Sequence, residues 1–268
     1  MAVMKTLELR RLPLARVAAR DVPRLLARAG VEYHSVAENN WPAAFPYTPV
    51  VQVAAALADD ALLLHYRVRE KDCMANVVQD HGHVWEDSCV ECFLAVGEVY
   101  YNIECNCLGV LHLAAGPGRR GREYAPADVM AGVGRWSSLR GEVSVGTDGQ
   151  LLSRPLNNPG TSAGPTSRLS AGPMTGLPGN PEVPSGEETE WEIALTLPFE
   201  CFFQSRETLS EALSPSAQVL GTPAPALRGN FYKCGGHGPL EHYLSWSPIA
   251  TERPDFHRPE FFAPFQVL

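Results

Sequence analysis

The sequence predicts an all-β protein, an antiparallel β-sandwich with one or two short helices, on three observations. Short runs rich in Val, Ile, Tyr, Phe and Thr recur along the chain, Gly, Pro, Asn and Asp separate them, and only two stretches carry helix start and stop signals. Without long intervening helices such strands must pair antiparallel and close into a sandwich or barrel. The 268 residues, 45% of them hydrophobic, suffice for one large β domain with its own core.

The elements follow in order. In "RDVPRLLARAG" Asp21 is the expected N-cap, Pro23 lies in the first turn and Gly30 is the stop. "PVVQVAAALADDALLLHYRVRE" reads as two strands joined at Asp59-Asp60. "CVECFLAV" and "VYYNIECNC" come next, then "GEVSVGTDGQLL" and "EWEIALTLP", with one helical turn in "PFECFF". "LRGNFYKCG", "HYLSWSP" and "PFQVL" complete the strands. Trp191 shares a face with Ile193, Leu195 and Leu197, so it reads as core, as does Trp136. Residues 153–189, rich in Pro, Gly, Ser, Thr and Asn, hold too little apolar surface to offset their ordering entropy. They are expected to form a flexible insertion in a single domain spanning 1–268.

Net charge is −8 with a pI near 5.5, and no basic stripe suits a phosphate backbone, which excludes nucleic acid as the expected partner. Nowhere do eighteen apolar residues run together, so no membrane span is expected. The N-terminal residues lack the apolar core of a signal peptide, and seven cysteines are an odd number, which favours reduced thiols and a cytoplasmic location. A removed leader would instead make the protein secreted or periplasmic.

Gly97-Glu98 joins two strands, and glycine first in a two-residue loop suits a type II′ turn. Pairing Val96 with Val99 then fixes the ladder. Leu94/Tyr101, Cys92/Ile103 and Val90/Cys105 form a core face; Ala95/Tyr100, Phe93/Asn102, Glu91/Glu104 and Cys89/Asn106 form the other. Two carboxylates directly opposite cost roughly 0.2–1 kcal/mol, so something should compensate them. Solvent with a nearby Arg or Lys would do so. So would a concave polar floor, where Glu91, Glu104, Tyr100, Asn102 and Asn106 bond a polyhydroxylated ligand. This register parts Cys92 and Cys105 from Cys89, so the four hairpin thiols do not converge on zinc and no metal ligands are assigned.

At "VWEDSCVECFLAV" the sequence resembles the family 9 carbohydrate-binding modules, whose pattern is a Trp followed by Asp-Ser-Val-Glu and an aromatic. Here Cys89 intervenes between Asp87-Ser88 and Val90-Glu91. The resemblance implies that Trp85 stacks on a sugar and Glu91 binds its hydroxyls. In "YYNIECN" the ligand-contacting positions fall on Asn102 and Glu104, with Asn102 standing where an Arg is expected. "EWEIALTLPFECFF" and the stretch from "RGNFYKCGG" to "FFAPFQV" are similar to the family's late strands, especially in stand-alone bacterial variants, so the resemblance runs over residues 45–268. It implies a jelly-roll sandwich, non-catalytic binding of a mono- or oligosaccharide, and the structural calcium ion that relatives use, although no compact Asp/Asn ligand loop is present. An indole covers the C–H face of a pyranose while carboxylates and amides bind its rim. Trp246 in "LSWSP" is the candidate second platform, Phe256 its reserve, and Asn230 and Lys233 candidate rim donors on opposite faces of one strand.

Three alternatives remain open at this point. Glu91 and Glu104, with Cβ atoms about 4.5–5.5 Å apart, match the roughly 5–5.5 Å separation of a retaining glycoside hydrolase. His81, His83, Glu86 and His112 resemble a cupin metal site on a jelly roll. A protein-interaction sandwich would bury Trp85 and Trp246 or hold them far apart.

Overall fold

The computed structural model describes residues 5–152, 188–213, 227–237 and 239–268. Residues 153–187 of the expected insertion lie outside the described residues; 188 and 189 already belong to a strand. In chain order the elements are β1 (Leu7–Arg11), α1 (Val22–Arg28), β2 (His34–Ser35), β3 (Glu38–Asn39), β4 (Val50–Leu57), β5 (Ala61–Lys71), β6 (Ser88–Val96), β7 (Val99–Asn106), β8 (Leu111–Gly116), β9 (Glu123–Tyr124), α2 (Ala127–Gly132), β10 (Gly134–Ser137), β11 (Gly141–Glu142), β12 (Glu188–Pro198), α3 (Arg206–Ala212), β13 (Leu227–Gly235), β14 (His242–Ser245) and β15 (Ala263–Val267).

Two sheets pack face to face. The first runs β15-β13-β6-β7-β8-β9, with β14 sharing the β13 edge with β15 and passing on to β3. The second runs β4-β5-β12-β10-β11, with β2 on the outer edge of β4. β1 joins them: Leu7–Leu9 pair with β15, then Arg10 and Arg11 pair with Ala56 and Leu57 of β4, both in parallel. A strand that changes sheets in this way makes the corner of the sandwich. Among the described residues all the other strand pairs are antiparallel.

Period-two patterning builds the core. Leu62, Leu64, Tyr66 and Val68 of β5 and Trp191, Ile193, Leu195 and Leu197 of β12 meet Val90, Cys92, Leu94 and Val96 of β6 and Tyr101, Ile103 and Cys105 of β7 in one buried cluster. On the outside of the second sheet α1 lays Val22 and Leu26 over Ala54, Ala56, Leu63 and Ala194. Asp21 stands at the N-cap of α1 but pairs with Arg24 at 3.0 Å instead of bonding a backbone amide, and Gly30 ends the segment at φ +65°. The "PFECFF" turn is the 3-10 turn Phe199–Cys201. Two further short helices, α2 and α3, and strands β1, β8 and β10 go beyond the sequence reading. β8, "LHLAAG", is buried on both faces, so it shows no alternation to read.

The hairpin has the expected register in every pair from Cys89/Asn106 to Val96/Val99, with Gly97 at φ +65°. The outer face of this first sheet is buried as well. Loops carrying Val84, Ile249, Phe256 and Phe262 cover Phe93, Tyr100, Tyr232 and Cys234 in a second apolar cluster. All seven cysteines are buried and free.

Candidate functional site

The covering layer is incomplete over β6, β7 and β8, and the gap is a cavity of about 670 Å³. Its floor is one face of five adjacent strands: Glu91 and Phe93 from β6, Asn102 and Glu104 from β7, His112 and Ala114 from β8, Cys234 from β13 and Tyr243 from β14. Cross-strand register lines them in rows, Glu91 opposite Glu104 opposite His112 and Phe93 opposite Asn102 opposite Ala114. Trp85, Arg119, Arg122, Tyr124 and Asp255–His257 make the walls.

The loop bearing Trp85 is held by a buried carboxylate. Asp87 accepts backbone bonds from Asn76 at 2.8 Å and Val77 at 3.0 Å, and Asn106 Nδ2 donates to it at 2.9 Å. Asp87-Ser88 is therefore a loop anchor. Asp80 accepts two bonds from Arg135, at 2.7 and 2.8 Å, and one from the Leu111 amide at 3.0 Å, which ties the same loop to β8 and β10. Trp85 sits on the 3-10 turn Val84–Glu86 with its backbone against Gly236, where a Cβ would meet the Trp85 carbonyl at 2.8 Å. Its indole remains 36% exposed, stacked on His83 at 4.6 Å and edge-on to His112 at 5.4 Å.

A relay of bonds crosses the floor. Arg122 Nε donates to Asn102 Oδ1 at 2.8 Å, and Asn102 Nδ2 donates to Glu104 Oε1 at 2.6 Å. Arg122 lies 4.1 Å over the Tyr100 ring and also donates to the carbonyls of Gly118, Tyr100 and Ala114. Burial pushes the Glu104 carboxyl up to about 7, against the pull of Asn102 and Arg122. Glu91 is driven well above the carboxylate range by burial, then by Cys234 and Glu104, and its Oε1 accepts from the Cys234 thiol at 3.0 Å. Burial, reinforced by His81, lowers His112 to about 4. Glu104 Oε2 and His112 Nδ1 are buried atoms with no bonding partner in the protein.

The structure thus brings Trp85, Glu91, Asn102 and Glu104 to one cavity, and the reserve aromatic Phe256 lines it too. Other expected ligand residues lie elsewhere, among them Asn106, which is spent on Asp87. Trp246 is 3% exposed in the sandwich core against Phe231 and Phe265, because the alternation of β14 turns Leu244 and Trp246 inward and Tyr243 to the cavity. Asn230 is consumed by Ser247, donating to its carbonyl at 2.9 Å and accepting from its amide at 2.8 Å. Tyr100 lies behind Arg122 with its hydroxyl on His257 Nδ1 at 2.9 Å. Lys233 points into the sandwich, 2.8 Å from Glu70 Oε2.

Sequence reasoning missed Arg122, Tyr124 and Tyr243. Asn102 stands where the resemblance implies an arginine, and the guanidinium arrives instead from Arg122 in the β8–β9 turn. Its signal, basic residues in the turn "GPGRRGREY", becomes readable only once β8 is known to flank β7. The cupin-like set is not assembled. His83 is exposed and bonded to Glu86 at 3.1 Å, while His81 stacks on Tyr124 at 4.8 Å, so these rings form an aromatic wall. Among the described residues the one group of three or more His, Cys, Asp or Glu ligand atoms within 4.8 Å of one another is Cys89, Glu91 and Cys234. Calcium asks for six to eight oxygen ligands, and two of these three atoms are sulfur, so the group does not fit the calcium ion that the resemblance implied.

No curated protein matches the chain. A crystal structure of a Bacteroides uniformis protein named for carbohydrate binding shares 32% identity, covers 99% of this chain and 100% of its own, and superposes with a TM-score of 0.72. Two structures of a family 9 carbohydrate binding module from Caldicellulosiruptor kristjanssonii, in complex with cellotriose and with glucose, show 8% and 7% identity and TM-scores of 0.47 and 0.46. They cover 98% of this chain in both cases and 93% and 96% of their own. The model of the family described as carbohydrate-binding family 9 matches residues 20–150 and 171–267, and the chain belongs to that family.

Proposed function

We propose that this family member holds a mono- or oligosaccharide, without chemical conversion, in the cavity above β6, β7 and β8. The observation that carries the reading is the pair of unpartnered buried atoms, Glu104 Oε2 and His112 Nδ1, on neighbouring strands of the cavity floor. Each unmade buried hydrogen bond costs about 1–3 kcal/mol, and a ligand hydroxyl satisfies an acceptor of this kind. Trp85 offers an exposed indole to the C–H face of a pyranose, and Tyr124, Tyr243 and Phe256 supply the other aromatic walls. The volume lies in the range of about 300–1,000 Å³ that small-ligand sites occupy.

The Glu91/Glu104 pair serves binding. Glu91 is engaged by the Cys234 thiol and Glu104 by Asn102, so each carboxyl keeps one oxygen for a ligand. The relative with 32% identity, named for carbohydrate binding, supports the same reading. Calorimetric titration with a panel of neutral mono- and disaccharides tests it, with Trp85→Ala as control. Binding that is lost in the variant supports the site; no saccharide binding tighter than about 1 mM, near −4 kcal/mol, overturns it.

A further inference from the structure

We propose that Cys89, Glu91 and Cys234 form a site for a zinc ion in the floor of the cavity. The three ligand atoms lie within 4.8 Å of one another on two adjacent strands, where Cys89 and Cys234 are directly paired and Glu91 follows Cys89 on the same face. A Zn–S bond of about 2.3 Å in a tetrahedron sets ligand atoms roughly 3.8 Å apart, within about 1 Å of the widest spacing already present. Cys234 Sγ and Glu91 Oε1, 3.0 Å apart, already fall inside that spacing.

The donor set selects the metal. Two thiolates and one carboxylate suit zinc and not magnesium or calcium, which take oxygen ligands. Without a cation, Glu91 and Cys89 are held toward their protonated forms. Burial and their mutual repulsion hold Glu91 and Cys89 in the neutral form, and a bound dication reverses that balance by displacing the protons.

Three protein ligands leave a fourth position, and Glu91 and Cys234 line the cavity whereas Cys89 does not. The fourth position therefore opens toward the cavity, where water or a ligand hydroxyl completes the tetrahedron. The inference stands on the thiol cluster and does not require that the cavity hold a sugar.

The test uses the full chain, reduced and treated with chelator, then titrated with Co²⁺ as a coloured stand-in and back-titrated with Zn²⁺. The expected result is one equivalent of cobalt with a thiolate-to-cobalt charge-transfer band, bleached by zinc, and a melting temperature raised by zinc. Cys89→Ser and Cys234→Ser should each lose the band, Cys201→Ala should keep it, and Trp85→Ala should keep it while losing any sugar binding. Absence of the band from the unsubstituted protein overturns the proposal, and that readout holds even where a serine variant fails to fold. A band that survives in a folded Cys89→Ser/Cys234→Ser double variant overturns it equally.

Discussion

Arg122 Nε donates to Asn102 Oδ1 at 2.8 Å, and through Asn102 the guanidinium fixes Oε1 of Glu104, whose Oε2 has no partner in the protein. A residue of a turn thereby sets the orientation of a carboxylate two strands away. Arg122→Lys keeps the charge but loses the planar fork that reaches three carbonyls and Asn102 at once. Saccharide affinity should fall by about 1–3 kcal/mol with the fold retained. Calorimetry together with circular dichroism checks this, and an unchanged affinity would remove Arg122 from the binding machinery.

Trp85 lies exposed at the cavity wall and contributes little to the core. Trp85→Ala should weaken saccharide binding by about 2 kcal/mol, roughly 30-fold, with a melting temperature close to that of the unsubstituted protein. A large loss of stability with binding intact would place the indole among the structural residues instead.

Trp246 behaves in the opposite sense. It packs between the sheets against Phe231 and Phe265, so Trp246→Ala should destabilise the protein by about 3–5 kcal/mol in chemical denaturation. The surviving folded fraction should bind saccharide with unchanged affinity. Loss of binding without loss of stability would contradict the placement.

Acid should destabilise the fold through its buried histidines. Burial holds His112 at about 4 and His257 at about 3, below the ordinary 6.5. Because the folded values are depressed, the unfolded chain binds the extra protons, so this contribution is complete above pH 6.5 and is lost as pH falls toward 4 and 3. Glu104 and Glu91, raised by burial, act with the opposite sign, so the readout is a difference. The melting temperature of His257→Asn should fall less steeply between pH 7 and 4 than that of the unsubstituted protein; parallel curves would refute the assignment.

The buried pair Glu70–Lys233 completes the set. Trp191 Nε1 donates to Glu70 Oε1 at 2.7 Å and Lys233 stands 2.8 Å from Oε2. Removing one partner strands a charge in the sandwich, so Lys233→Met should cost about 3–5 kcal/mol of stability, while Lys233→Met combined with Glu70→Gln should recover part of it. Denaturant titration of Lys233→Met, Glu70→Gln and the double variant reads this, and additive losses would refute the coupling.

Local chemistry determined much of this molecule from the sequence alone. Gly97 at a two-residue turn and the period-two pattern on either side of it fix which residues of β6 and β7 face each other, and so the Glu91/Glu104 pair. The same alternation places Trp191 in the core. What only the tertiary structure decided depends on partners far apart in the chain. Arg122 reaches the floor because β8, which shows no alternation, lies beside β7; Cys234 meets Cys89 because β13 lies on the other edge of β6. Trp246 turned inward and Tyr243 outward because the face each occupies follows from the register of β14 on β13, a pairing that no short stretch of sequence encodes. Turn geometry and side-chain period are properties of neighbouring residues, whereas the order of strands is set by the burial of the whole core.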